Sequence, residues 1–131
     1  MVIQKTLVLI KPDGVAAGCT ENMLKLFQSN GFSLVGTVKY FNLTEAQASA
    51  FYGAEYVTSA VLALTERLLA AFILEGEDAI ARAQEINKSM TPEAIWMNPS
   101  ASDLSDAVHV SKTAVAFERE SRIIWDWSIH T

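Results

Sequence analysis

The run Thr6-Leu7-Val8-Leu9-Ile10, stopped at once by Lys11-Pro12-Asp13-Gly14, narrows the folds open to this chain more than any other stretch. It is short and rich in β-branched residues, and a Pro-Asp-Gly stop follows it. Those features mark a buried strand entering a tight turn. Such a strand needs partners, and three more strand-like runs follow. Phe32–Phe41 alternates, with Phe32, Leu34, Val38 and Tyr40 against Ser33, Thr37 and Lys39. Ala70–Leu74 is a third buried strand, closed by Glu75-Gly76, and Ala107–Val110 is a short fourth.

Helical patterns fall between these runs. Thr20 stands as an N-cap ahead of a stripe of Met23, Leu24 and Phe27, with Asn30-Gly31 as the stop. Thr44 opens a helical region carrying Ala48, Phe51 and Tyr52, and more helix is expected from Glu55 to Leu68. Glu77–Asn87 reads as a short helix with Ile80, Ala83 and Ile86 apolar, and Ser89–Asp106, rich in Ser, Pro, Asn and Asp, as a loop. Thr113–Arg122 is the last helix, with Ser111 at its cap. The order predicts an α/β (α+β) fold of the ferredoxin-like kind, a βαββαβ sandwich whose four-stranded antiparallel sheet is covered by helices. With no repeat, low-complexity tract or linker, residues 1–131 read as a single domain.

Composition sets the class. Half of the 131 residues are hydrophobic, 19% are charged, and mean hydropathy is +0.20. That excludes a disordered chain and leaves apolar surface to spare for a subunit contact, hence a homo-oligomer. A net charge of −5 and a pI near 4.9 have the wrong sign for binding nucleic acid across a broad face, though they leave room for a local basic nucleotide site. The one cysteine, Cys19, has no partner for an internal disulfide, which points to a reducing compartment. No signal peptide is visible, and the apolar region Ser59–Leu74 is broken by Thr65-Glu66-Arg67, too soon to span a bilayer. The chain reads as soluble and cytoplasmic, with no membrane partner.

Two positions stand out for chemistry. Lys11 ends the first strand beside a turn, where a cation either binds an anion or simply sits in solvent. His109 sits inside Asp106-Ala107-Val108-His109-Val110, so its ring is expected to be partly buried. It is either a core histidine with one satisfied nitrogen or a nucleophile, since imidazole titrates near neutral pH and attacks as the neutral ring. A nucleophile needs its other nitrogen held, and Glu118 and Glu120 are the carboxylates available. The histidines and the cysteine are scattered and no carboxylate spacing matches a cation loop, so no protein metal site is expected. No Gly-rich phosphate loop is present. Trp96, Trp125 and Trp127 read as packing or contact residues.

The segment Thr6-Leu7-Val8-Leu9-Ile10-Lys11-Pro12-Asp13-Gly14-Val15 resembles the opening strand of nucleoside diphosphate kinases. The likeness continues through Gly31–Val35, Phe51-Tyr52, Leu74–Ala79, Val108-His109-Val110-Ser111 and Arg119-Glu120, in order along nearly the whole chain. The resemblance implies a ping-pong phosphotransferase acting on nucleoside di- and triphosphates, with Mg²⁺ bound through the nucleotide phosphates. By position, His109 would be the phosphorylated nucleophile, Glu120 would hold its imidazole, and Ser111 would support the site. Lys11 would contact phosphate and sugar, and Tyr52 the transferring phosphate. It also implies a homo-oligomer: a dimer or tetramer is expected, with the family's hexamer as the larger assembly.

The departures fall on the phosphate contacts. Trp96, in Ala94-Ile95-Trp96-Met97-Asn98, and Gln84 stand where the family carries arginines, and Asp106 stands where it carries a sugar-binding asparagine. Val110 and Lys112 replace the Gly and Asp that flank the serine in the family's His-Gly-Ser-Asp signature. Arg67, Arg82, Lys88 and Lys112 are the cations on hand as substitutes. Two other readings stand beside an active kinase. One is an impaired relative serving as a nucleotide-binding or protein-interaction module. The other is a phosphohistidine protein charged by a different donor.

Overall fold

Successive side chains of a strand point to opposite faces, so a strand buried at every position must be covered on both sides. β1 (Ile3–Ile10) meets that condition over its second half, where every residue from Thr6 to Ile10 is buried. The computed structural model describes residues 3–16, 18–52, 68–89 and 108–130. β1 runs antiparallel to β3 (Leu69–Glu77) on one side and to β4 (Val108–Val110) on the other. β2 (Ser33–Phe41) closes the far edge against β3, giving the order β2-β3-β1-β4. Non-consecutive neighbours force two crossovers, which α2 (Thr20–Ser29) and α4 (Ala79–Ser89) supply. This is the antiparallel four-stranded sandwich predicted from the sequence.

Alternation along the strands divides the core in two. Val8 and Ile10 of β1, with Phe72 and Leu74 of β3, pack on Met23 and Phe27 of α2 and on Ala79 and Ala83 of α4. Leu7 and Leu9, with Leu69 and Ala71, pack on the other face against Ala48 and Phe51 of α3 (Glu45–Tyr52) and Ile123 and Ile124 of α5 (Ala114–His130). Cys19 is buried in the first cluster, and that burial pushes its thiol up to about 12, so it stays protonated.

Several local expectations are corrected. The Pro-Asp-Gly stop opens a short helix, α1 (Pro12–Ala16), instead of a tight turn. Proline suits a first helical position, because its fixed φ is already helical and its missing N–H would have been unpaired there. Thr20 is inside α2 and buried, and Cys19 precedes the helix without a side-chain cap. β3 passes through Gly76 to Glu77, and the chain turns at Asp78, whose φ is 45°. Tyr40 is exposed even though it shares its parity with Leu34 and Val38. β2 slips register against β3 between Val35 and Lys39, beside Gly36 with φ 75°, a conformation glycine adopts without strain. The last helix runs eight residues beyond the expected Arg122, to His130. The helix expected over 55–68 lies outside the described residues except for Leu68, which is not helical, and of the 89–106 loop only Ser89, the end of α4, is described.

Candidate active site

β4 sends Val108 and Val110 into the α2/α4 core, so strand parity gives His109 to the α3/α5 face. There it is paired across the ladder with Leu9, which is on the same face. The ring of Phe51 meets it edge-on, centroids 5.3 Å apart. The imidazole side chain is 12% exposed.

Glu120 reaches this ring because of where it falls on α5. Ala116, Glu120, Ile123 and Ile124 form one buried stripe at helical spacing, whereas Glu118 lies off the stripe and is exposed. Of the two carboxylates left open by the sequence, Glu120 is therefore the partner. Its Oε2 accepts a hydrogen bond from His109 Nε2 at 3.0 Å, and its Oε1 accepts one from the Ser111 hydroxyl at 2.7 Å. An ionised carboxylate can only accept, so the shared proton sits on Nε2 and the lone pair of the neutral ring falls to Nδ1. Ser111 is itself fixed by its own N–H, which donates to Leu7 O at 3.1 Å and carries the β1–β4 ladder one residue further. It does not cap α5. Thr113 does, its Oγ1 accepting from the N–H of Ala116 at 3.0 Å.

His109 also lines a cleft of about 310 Å³ between β4 and α4, together with Lys11, Gln84, Asn87, Lys88 and Lys112. The amides of α4 lace the two elements together. Gln84 Nε2 donates to Lys112 O at 3.0 Å, and Asn87 Nδ2 to Val108 O at 3.4 Å.

The structure thus brings together His109, Glu120, Ser111, Lys11 and Gln84. Trp96, Asp106 and the side chain of Tyr52 lie outside the described residues, although Tyr52 closes α3 next to Phe51. Arg67, one of the substitute cations, lies outside them too. Arg82 is no substitute, since its guanidinium donates to Glu77 O and Asn30 O and stacks 4.7 Å from the Phe32 ring, away from the cleft. Sequence reasoning missed Phe51 as the wall of the histidine and Arg119 as a brace. Arg119 Nε donates to Phe51 O at 3.1 Å, and its guanidinium lies 3.9 Å from Glu120 Oε2. Phe51 was legible as a stripe residue, but nothing in its spacing says which ring it meets.

Residues 4–128 match the family described as Nucleoside diphosphate kinase. A curated relative of that name from Staphylothermus marinus is 31% identical over 134 residues, covering 95% of this chain and 94% of its own. Among solved structures, the nucleoside diphosphate kinase of Aquifex aeolicus is similar at a TM-score of 0.75 and 26% identity, over 95% of this chain and 96% of that one. That of Borrelia burgdorferi, a transition-state mimic with bound vanadate and ADP, also reaches 0.75. It is 21% identical over 95% of this chain and 88% of its own, a likeness of fold.

Proposed function

The chain belongs to the nucleoside diphosphate kinase family, and from that premise we propose that it carries the γ-phosphoryl group of a nucleoside triphosphate to a nucleoside diphosphate on His109. As a member it is a phosphotransferase. The observation that carries the route is the buried Glu120 carboxylate on His109 Nε2, beside a cleft lined with lysines. In the first half-reaction Nδ1 attacks the γ-phosphorus. The N–P bond forms as the bond to the β,γ-bridging oxygen breaks, and the electron pair leaves on the nucleoside diphosphate. Positive charge that develops on the ring is met by Glu120 through the Nε2 proton, which never leaves. The second half-reaction reverses these steps with a different diphosphate.

Around the histidine, Ser111 holds the far oxygen of Glu120, Lys11 contacts phosphate and sugar, and Tyr52 touches the transferring group. Gln84, Trp96 and Asp106 stand at the remaining nucleotide positions. Mg²⁺ would arrive with the nucleotide and lower the charge of its phosphates, and Lys11, Lys88 and Lys112 line the cleft that those phosphates would enter. The cleft's lysines suit the phosphate oxygens. Residues 1–131 act as a single cytoplasmic domain that assembles as a homo-oligomer, a dimer or tetramer, using apolar surface beyond what its core needs. The satisfied His109–Glu120–Ser111 network speaks against an impaired relative, because a fold kept only for binding has no use for an oriented imidazole.

Incubation with Mg²⁺ and γ-labelled ATP, beside a His109→Ala control, tests this. Acid-labile label that depends on His109 and passes to added GDP is expected. Label that persists in His109→Ala, or none in the parent protein, sinks the route.

A further inference from the structure

The cleft that His109 lines holds cations to which the phosphotransfer route gives no individual role. On a molecule of net charge −5, three lysines, Lys11, Lys88 and Lys112, converge on one cavity, and among the described residues none that lines it is acidic. Lys88 comes from the last turn of α4 and Lys112 from the turn between β4 and α5, so two separate elements contribute. Both residues are exposed, and among the described residues neither has a carboxylate partner. Arg82, the other basic residue of α4, is held by backbone carbonyls and an aromatic ring elsewhere.

Gln84 explains how Lys112 is kept there. Its amide nitrogen donates to the carbonyl of Lys112 at 3.0 Å and to that of Ile80 at 3.3 Å, so its donor side is spent on backbone. An amide so used orients a loop and has little left for a phosphate oxygen. We propose that Lys88 and Lys112 are the cations that grip the nucleotide phosphates in this chain, and that Gln84 is a positioning residue for Lys112. The assignment rests on the phosphotransfer reading of the same cleft. Lysine is a compact point charge on a flexible stem, so it reaches a phosphate from an exposed position without the planar fit a guanidinium needs. A pair of them replaces bidentate contacts with charge alone, which makes binding sensitive to salt.

The test measures ADP affinity by calorimetry, with melting temperature as the control for folding. Lys88→Met and Lys112→Met are each expected to weaken ADP binding about tenfold, the strength of one charge-assisted contact, with the melting temperature unchanged. Lys112→Arg is expected to restore most of the loss, and the parent's affinity is expected to fall as salt rises. Gln84→Ala should weaken ADP binding and, in the double variant, remove most of the effect of Lys112→Met, a coupling that a purely structural glutamine would not show. If the parent protein labels His109 and turns over while both methionine variants bind ADP as it does, the lysine assignment is overturned and phosphotransfer stands. If the parent neither labels nor binds ADP, both fall together. A lysine effect confined to melting temperature overturns the assignment as well, since it would mean that Lys88 serves only the carbonyl end of α4.

Discussion

A carboxylate buried to 3% exposure is tolerable only when its oxygens are taken up, and Glu120 spends one on His109 and the other on Ser111. The same arrangement that satisfies the core therefore sets the histidine's tautomer, and stability and chemistry are tied at one residue. Glu120→Gln keeps the volume and removes the charge. It is expected to lower kcat roughly a hundredfold or more, the scale of losing one preorganised electrostatic contact to developing charge. KM for the nucleotide should move little, because Glu120 is not among the residues that line the cleft. Steady-state kinetics with a folded Glu120→Gln protein makes the check, and an unchanged kcat would remove Glu120 from the chemistry. Ser111→Ala is the milder companion. It leaves one carboxylate oxygen without its 2.7 Å donor and should cost about 1.5–3 kcal/mol of stability.

At the scale of elements, α5 matters most, because its angle and register deliver Glu120. Its first turn is secured by Thr113, whose hydroxyl accepts from Ala116, and not by Ser111 two residues earlier. Thr113→Ala is expected to cost about 1 kcal/mol in denaturant unfolding, and to slow phosphorylation of His109 less than Glu120→Gln does. A cap that moved nothing in either measurement would show that α5 is held by its packing on β1 and α3 without the cap. The difference between Thr113 and Ser111 also shows where sequence was legible and where it was not. Apolar runs and stripes are local signals, so β1, β3, α2 and the parity that turns His109 away from Val108 and Val110 were all readable in advance. Which of two neighbouring hydroxyls caps a helix depends on a partner nine residues away. Ser111 is drawn off by Glu120, and no spacing rule reports that competition. Likewise, Pro12 reads equally as a turn or as a helix start until the backbone beyond Gly14 is seen. The choice between Glu118 and Glu120 was legible in principle, since only Glu120 falls on the buried stripe of α5.

At the scale of the molecule, one sheet separates two cores with different duties. Phe27 is fully buried between α2 and the sheet, edge-on to Phe32 with centroids 5.6 Å apart, and has no part in the histidine's surroundings. Phe51 is as deeply buried on the other face and forms one wall around His109. Because β1 feeds alternate side chains to both cores, neither can melt while the other keeps its strand, so unfolding should be a single transition. Phe27→Leu and Phe51→Leu should each lower stability by about 1–2 kcal/mol, within the ordinary range for a core substitution that keeps an apolar group. They should shift the whole melting curve together, whether followed by circular dichroism or by aromatic fluorescence. The two then part in chemistry. Phe27→Leu, measured well below its melting point, is expected to label His109 at the parent's rate, because α5 and Phe51, which meet the His109 ring, lie on the other face of the sheet. Phe51→Leu removes the edge that limits the ring's rotation and shifts the backbone carbonyl that holds Arg119, so it should slow labelling several-fold at equal stability. Equal slowing in both variants would mean that the sheet transmits core strain to the site, and the separation of duties between the two faces would be lost.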